Sequence, residues 1–270
     1  MQIKDHKVGP NNLFVREAIP DTKSFDSPLV LVHGSFGGAE MWKMVAHGLS
    51  EMGFHAYALS LRGHMPNEKI NLGEVGMSDY VEDIKQVIEA LKLESPVVVG
   101  HSMAGLLVLM YTKDNPVKAA VLIDPSTSSE VQREPDEVKI AEIPDVYNVM
   151  QAGMPMDPME VMKALPDVSQ EVLMQMKDML GEESGKARRD RKRGISVPEG
   201  SISAPLLIMG AELGDSLPFG ISLESSRNMA EYYNADFFEV KGATHPGMLM
   251  GEHSGKVVAK LTSWLKGLEI

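Results

Sequence analysis

The sequence predicts an α/β fold: a mostly parallel central sheet flanked by helices, with a helical segment inserted between two of the strands. Several short apolar runs are nearly continuous rather than alternating, which is typical of parallel strands that are buried on both faces. Helical patterns of ten or more residues separate most of these runs, as they do in βαβ units. The alternation stops over residues 125–204, where prolines recur and no clear strand is predicted.

The predicted elements follow one another along the chain. Apolar runs predict six strands, at 29–33, 55–59, 97–100, 119–123, 206–209 and 237–240. Helical patterns predict five helices, at 40–52, 78–93, 103–113, 222–233 and 253–268. The helix over 78–93 begins at Ser78, a suitable N-cap, and carries an apolar stripe along one face.

Residues 1–124 and 205–270 are predicted to form one core domain, and residues 125–204 a helical cap inserted into it. A chain of 270 residues is long enough for one large core with an insertion. Eight of the 20 methionines fall between Met150 and Met179, within the cap. Because methionine is apolar and adaptable, we expect these side chains to pack the cap onto the core and to roof a pocket at the strand ends.

Charge and composition narrow the function classes. The chain has 26 Lys and Arg against 38 Asp and Glu, a net charge of −12, which disfavours nucleic acid and anionic membranes as partners. It contains no cysteine, which excludes disulfides, thiolate catalysis and cysteine-ligated metals. Residues 1–7 lack the apolar stretch of a signal peptide and no run approaches transmembrane length, so we expect a cytoplasmic protein.

The segment from Pro96 to Gly105, Pro-Val-Val-Val-Gly-His-Ser-Met-Ala-Gly, has the pattern of a G-x-S-x-G turn between a strand and a helix, with Ala104 in the last place. Such a turn is so tight that small residues are needed two positions before and after the serine, as Gly100 and Ala104 are. The turn exposes the serine hydroxyl beside a helix N-terminus. Ser102 is therefore the candidate nucleophile.

A second glycine-rich turn, His33-Gly-Ser-Phe-Gly-Gly, ends the first predicted strand. We expect the backbone N–H of Ser35 to stabilise a developing oxyanion together with that of Met103, with Phe36 as the alternative to Ser35. Gly34, Phe36 and His101 are expected to line the substrate pocket.

A serine nucleophile needs a general base and an acid that orients it. Of the eight histidines, His245 is the candidate base, because it lies in a loop between the last predicted strand and the last helix. His101 is expected to point away from the oxyanion side, His64 to be structural or to line the pocket, and His253 to be at the surface.

The candidate acid is Asp215, in the loop after the strand over 206–209, because the expected chain order is serine, acid, histidine. Glu212 in the same loop and Asp124, at the end of the strand over 119–123, remain alternatives.

A run of basic residues stands out in this acidic chain: Lys186, Arg188, Arg189, Arg191, Lys192 and Arg193. We expect a solvated face paired with Glu182 and Glu183, with contact to an anionic substrate group as the alternative.

With these motifs the sequence resembles the α/β-hydrolase superfamily over nearly its whole length, through His33-Gly34-Ser35, Arg62-Gly63-His64, Gly100 to Gly105, the Asp215 loop and His245. The oxyanion turn and the following Met41-Trp42 resemble the methylesterase and hydroxynitrile-lyase branch. Haloalkane dehalogenases and epoxide hydrolases of this fold have an aspartate as the nucleophile in the turn where this chain has Ser102, so the serine implies acyl transfer. The chain departs from the common pattern at two places. Ala104 stands where many members of the superfamily have glycine, and the loop of Asp215 is longer than their usual Gly-x-x-Asp.

The resemblance implies a serine hydrolase of carboxylic esters with a small to medium, largely apolar substrate and no cofactor or metal. Thioester, lactone or C–C cleavage, hydroxynitrile lysis and a ligand-binding receptor without turnover are the alternatives. The expected partner is a small-molecule ester, with neither nucleic acid nor membrane, and the sequence does not indicate an oligomer.

Overall fold

Ten strands lie within residues 1–268, the part of the chain that the computed structural model describes. They are β1 (Gln2–Val8), β2 (Leu13–Ile19), β3 (Leu29–Val32), β4 (Ala56–Leu59), β5 (Val97–His101), β6 (Ala119–Ile123), β7 (Val146–Asn148), β8 (Glu182–Ser184), β9 (Leu206–Leu213) and β10 (Asp236–Thr244). Eight of them form one sheet in the order β1-β2-β4-β3-β5-β6-β9-β10. Strand β2 is antiparallel to β1 and β4, and the other neighbours are parallel.

Ten α-helices accompany these strands within the same range. They are α1 (Lys43–Glu51), α2 (Met77–Ala90), α3 (Met103–Asp114), α4 (Glu137–Ala141), α5 (Pro158–Ala164), α6 (Gln170–Met179), α7 (Gly185–Arg193), α8 (Leu223–Tyr232), α9 (Gly247–Met250) and α10 (Ser254–Gly267). Short 3-10 helices cover Ala39–Trp42, Leu72–Glu74 and Glu199–Ser201. Among the described helices, none has both the length and the apolar character needed to cross a bilayer.

The centre of the sheet is buried because helices cover both of its faces. One apolar core packs the sheet against α1 and α10, and a second packs the opposite face against α2, α3 and α8. All residues of β3, β5 and β6 are buried. The chain leaves β3 for β4 on one side and later enters β5 on the other, so the crevice at their carboxyl ends is where such sheets bind ligands.

The predicted α/β class and its parallel central strands are confirmed, with differences at the ends of the chain and of the strands. Strand β9 continues four residues beyond the predicted end at Met209, and β10 also runs further than predicted. The antiparallel pair β1–β2 was not predicted, because β1 is an edge strand whose mostly polar and exposed residues lack an apolar run.

The inserted segment (residues 125–204) contains helices α4 to α7 and also a small two-stranded antiparallel sheet, β7–β8. The expectation that it contains no strand is therefore wrong. Each strand has three residues, and Glu182-Glu183-Ser184 has low strand propensity, so neither carries a recognisable pattern. The division of the chain into a core and a separate cap domain stays a prediction.

Candidate active site

Ser102 lies in a sharp turn between β5 and α3, at the carboxyl edge of the sheet. Its backbone has φ 57° and ψ −122°, a conformation that is strained for any residue with a side chain. Its N–H donates to the carbonyl of Ile123 at 3.0 Å, and its own carbonyl accepts from the N–H groups of Gly105 and Ser126. These bonds to β6 and to the loop after it hold the strained turn in place.

The size argument made from the sequence agrees with the packing of this turn. A Cβ at Gly100 would lie 2.2 Å from the carbonyl oxygen of Ala104, so a larger residue would force the turn apart. At Gly105 a Cβ would lie 2.4 Å from that of Pro125, so this glycine lets α3 approach the beginning of the inserted segment.

His245 lies directly after β10 and is only 5% exposed. Its Nδ1–H donates to Asp124 Oδ2 at 2.5 Å. The His245 carbonyl accepts from Nε2 of His101 at 3.0 Å. Burial, and then the adjacent His245, lower the pKa of His101 well below its usual range, so His101 is a neutral donor that supports the His245 loop. Ser102 and His245 line the same cavity.

Asp124 is the carboxylate that holds His245. It is fully buried at the end of β6, and its backbone φ of 47° turns the side chain toward the neighbouring strands. Its Oδ1 accepts from the N–H of Ala211 at 3.1 Å and from the hydroxyl of Ser226 at 3.3 Å. Three donors therefore hold this carboxylate in place.

The expected hydrogen bond between Asp215 and His245 is not formed within residues 1–268, and the Asp124 alternative is formed instead. Asp215 is exposed. Glu212, also exposed, accepts from the N–H of Gly242 at 2.7 Å. The physical reason is the orientation of the two side chains: Asp124, directly after β6, is fully buried against His245, whereas the side chain of Asp215 in the turn after β9 is exposed to solvent.

The turn after β3 lies directly against Ser102. A Cβ at Gly34 would lie 2.7 Å from the Cβ of Ser102, so the backbone approaches the serine as closely as glycine allows. The N–H of Ser35 has no acceptor within residues 1–268. The N–H of Met103 is the first of α3, where helical N–H groups have no partner within the helix. Both predicted oxyanion donors are thus brought next to Ser102.

His33 orients this turn from beneath. Its Nδ1–H donates to the carbonyl of Gly34 at 2.7 Å, and its Nε2 accepts from the N–H of Leu61 at 3.0 Å. Burial, with the charge of nearby His64, lowers the pKa of His33 to about 3, which keeps the ring neutral and this pattern intact. The sequence predicted no such role for His33.

The alternative oxyanion donor, Phe36, is already engaged. Its N–H donates to Glu183 Oε2 at 3.3 Å. Its ring lies at the cavity wall, edge-on to the ring of Tyr147. Phe36 therefore contributes its side chain to the cavity, as expected for a pocket residue, while its N–H connects the turn to β8.

Comparisons with known proteins agree with this fold. A family model described as alpha/beta hydrolase fold matches residues 27–149. An esterase from Exiguobacterium antarcticum superposes with a TM-score of 0.72 over 98% of this chain and 100% of its own, at 18% identity. The chain has the α/β-hydrolase fold.

Two further similar proteins are informative. Carboxylesterase CesB from Bacillus subtilis superposes with a TM-score of 0.67 at 19% identity, over 99% of this chain and 93% of its own. The human (lyso)-N-acylphosphatidylethanolamine lipase is 30% identical over 124 residues, which are 42% of this chain and 36% of the lipase. The chain spans between 29% and 49% of the length of the curated relatives that it matches. Placement in the methylesterase and hydroxynitrile-lyase branch stays a prediction.

Glu183 is fully buried beneath the turn after β3, and sequence reasoning missed its role. It accepts from the hydroxyl of Tyr80 at 2.7 Å and lies 3.2 Å from Nε2 of His64. Burial opposes its charged form, yet the charge of His64 and these hydrogen bonds lower the pKa of Glu183 to about 2. Burial likewise opposes the charged form of His64, but Glu183 outweighs it and raises the pKa of His64. The two groups form a buried ion pair.

Two other expectations for polar residues need correction. The basic run was expected to pair with Glu182 and Glu183, but Glu183 is committed to His64, and Glu182 forms no salt bridge among the described residues. His253 was expected at the surface, but it is buried next to Gly242 at the start of α10.

One cavity of about 760 Å³ contains Ser102 and His245 and extends beneath the inserted segment. Gly34, Phe36 and His101, expected to line a substrate pocket, are part of its wall. One part of the wall is apolar and includes Met41, Met154, Met176, Leu180, Leu217 and Phe219. Another part carries the cations of α7, including Arg188 and Arg191. Within the described residues, His, Asp and Glu side chains form no group of three or more that could hold a metal ion.

Proposed function

We propose that this chain is a serine hydrolase of carboxylic esters that acts through Ser102, His245 and Asp124. The observation that carries the proposal is the 2.5 Å hydrogen bond between His245 and the fully buried Asp124, at a histidine that shares a cavity with the strained Ser102. The esterase and lipase relatives support the same class of reaction.

In this mechanism, Nε2 of His245 takes the hydroxyl proton of Ser102 as the serine oxygen attacks the ester carbonyl. Asp124 accepts from Nδ1–H, which fixes the tautomer that leaves Nε2 free and stabilises the imidazolium that forms. The N–H groups of Ser35 and Met103 donate to the negative oxygen of the tetrahedral intermediate.

The intermediate collapses when His245 gives its proton to the leaving alkoxide, which releases the alcohol and leaves an acyl group on Ser102. Water then attacks the acyl-enzyme with His245 again as the base. The products are a carboxylic acid and regenerated Ser102. The residues named supply the nucleophile, the base and the oxyanion donors.

The cavity supports a small to medium substrate. Its volume of about 760 Å³ lies within the range of small-molecule sites, and its apolar wall suits an aliphatic or aromatic portion of the ester. Because methionines contribute to that wall, we expect tolerance for several acyl chain lengths rather than a sharp cut-off.

The test is hydrolysis of p-nitrophenyl esters of increasing acyl length, with the Ser102→Ala variant as the control. We expect turnover by the wild type and a fall in kcat of at least about 10⁴-fold in the variant, because the remaining oxyanion donors give little rate by themselves. Equal hydrolysis by the two proteins would contradict the proposal. Turnover of a thioester or lactone with no turnover of the matched ester would indicate that the enzyme cleaves that bond instead of a carboxylic ester.

A further inference from the structure

Helix α7 presents three cations to the cavity. Arg188, Arg191 and Lys192 are three and four positions apart, so they lie on one face of the helix, and all three line the cavity wall. The other arginines of the helix have partners elsewhere. Arg189 pairs with Asp145 at 2.9 Å and Arg193 with Glu137 at 3.2 Å.

The three cations that face the cavity have no counter-ion among the residues that the structure describes. None forms a salt bridge with a carboxylate of residues 1–268. The Nε atoms of Arg188 and Arg191 are buried and have no acceptor within the same range. Although Lys192 is exposed overall, partial burial and the charges of Arg191 and Arg188 lower its pKa. Like charges on one helical face repel each other, so this arrangement is unfavourable without an anion.

Carboxylates do line the cavity, but they do not neutralise these cations. Glu134, Asp136, Asp215 and Glu224 are all exposed side chains. Asp136 is paired with Lys139 at 3.1 Å. The half-buried positive charge of the arginines is therefore open to a ligand.

The guanidinium groups of Arg188 and Arg191 both contact neighbouring side chains, and Arg191 is linked to Ser102 through Ser126. Arg191 Nη1 donates to the hydroxyl of Ser126 at 2.9 Å, and the N–H of Ser126 donates to the carbonyl of Ser102 at 2.9 Å. The guanidinium of Arg188 lies 4.7 Å from the centre of the Tyr147 ring, a cation–π contact. Such contacts reduce the entropy that the arginines lose when they bind an anion.

We propose that the ester substrate carries an anionic group, a carboxylate or a phosphate, which Arg188 and Arg191 bind. Guanidinium groups match both anions in geometry and charge. Since Arg191 is connected to Ser102 through one residue, the anionic group is only a few bonds from the scissile carbonyl. The inference rests on the proposed function. It replaces the expectation of a largely apolar substrate by an amphipathic one, with the apolar portion against the methionine-rich wall.

The test compares two p-nitrophenyl esters of equal acyl length, the hexanoate and the adipate monoester with its free carboxylate. We expect the wild type to have a kcat/KM at least tenfold higher for the adipate monoester, after subtraction of spontaneous hydrolysis. Arg188→Gln is expected to lower kcat/KM for the adipate monoester at least ten times more than for the hexanoate. Arg193→Gln, on the same helix but paired outside the cavity, is the matched control and is expected to retain the wild-type preference.

A binding measurement separates failure of this inference from failure of the proposed function. Titration calorimetry on the Ser102→Ala variant is expected to detect adipate or inorganic phosphate, and the tighter of the two identifies the anion. Binding is expected to weaken at least tenfold when Arg191→Gln is added. Loss of Ser102-dependent hydrolysis of both esters, with anion binding intact, would overturn the reaction but keep the anion site.

Two results would overturn the anion site itself. One is Ser102-dependent turnover of the hexanoate that equals or exceeds turnover of the adipate monoester. The other is an equal loss for the two esters in Arg188→Gln, because that pattern indicates a structural role for the arginine.

Discussion

Three functional positions share an unusual backbone conformation. Phe36, Ser102 and Asp124 have positive φ values of 69°, 57° and 47°, although none is a glycine. They follow β3, β5 and β6, which are adjacent strands of the sheet. Each strained residue is held by hydrogen bonds to a neighbouring element, so the strain aims the oxyanion turn, the nucleophile and the acid at one point.

The choice of acid is the sharpest prediction at the residue scale. Asp124→Asn is expected to lower kcat by about 10³- to 10⁴-fold, because the amide no longer holds His245 in the tautomer that accepts the serine proton. Asp215→Asn is expected to change kcat less than about fivefold, since Asp215 is exposed and forms no hydrogen bond with His245 among residues 1–268. Steady-state kinetics with a p-nitrophenyl ester measures both.

Circular dichroism and thermal unfolding of both variants serve as the folding control for this comparison. A large loss of kcat in Asp215→Asn, with Asp124→Asn close to wild type, would return the acid to the loop after β9.

At the scale of single elements, the inserted segment stabilises the loops that carry the site. Strand β8 delivers Glu183 to the oxyanion turn, where it accepts from Phe36. The loop before α6 delivers Asp167, which accepts from the N–H of Thr244 at 2.9 Å and from its hydroxyl at 2.6 Å. Because Thr244 directly precedes His245, the segment contacts both halves of the site.

Removal of the Glu183 charge tests this connection. Glu183→Gln is expected to lower the free energy of unfolding by about 3 kcal/mol near pH 5.5, because it leaves the buried His64 without its counter-ion. The matched control is Glu182→Gln at the exposed neighbouring position, where a change below about 0.5 kcal/mol is expected. Urea unfolding of the three proteins gives these differences.

The difference in the free energy of unfolding between the wild type and Glu183→Gln is expected to depend on pH. The pKa of Glu183 falls from 4.5 to about 2 on folding, so its contribution is complete above pH 4.5 and is lost as the pH falls toward 2. The pKa of His64 is raised from 6.5, so its contribution is complete below pH 6.5 and is lost as the pH rises through the raised value. The difference between Glu183→Gln and wild type is therefore expected to be largest between pH 4.5 and 6.5. A difference that does not vary between pH 5.5 and pH 9 would argue against the buried ion pair.

At the scale of the whole molecule, contacts between residues close together in the chain could be predicted from the sequence, and contacts between distant residues could not. The turn at Ser102 and the loop of His245 are defined by neighbours in the chain, and the structure brings both residues to one cavity. Asp124 could only be an alternative, because its hydrogen bond with His245 joins residues 121 positions apart in the chain. The central strands were predictable since they are continuous apolar runs, and the two short strands β7 and β8 were not.

The placement of charged residues around the cavity could likewise not be predicted from the sequence. The net charge of −12 correctly describes the chain as acidic, yet it conceals a cavity wall with two arginines that have no carboxylate partner among residues 1–268. The basic run was visible in the sequence, but its division into paired and unpaired members depends on how α7 packs over the site. Glu183 lies only five residues before Arg188, and packing alone determines that it pairs with His64 instead.

The most direct test of the central claim, that Ser102 is a nucleophile activated by His245 and Asp124, is the rate of labelling by a fluorophosphonate with the adduct located by mass spectrometry. The account predicts one adduct for each chain, on Ser102, and labelling of Asp124→Asn that is at least about 100-fold slower than that of the wild type. An adduct on another residue, or equal labelling rates for the two proteins, would contradict it.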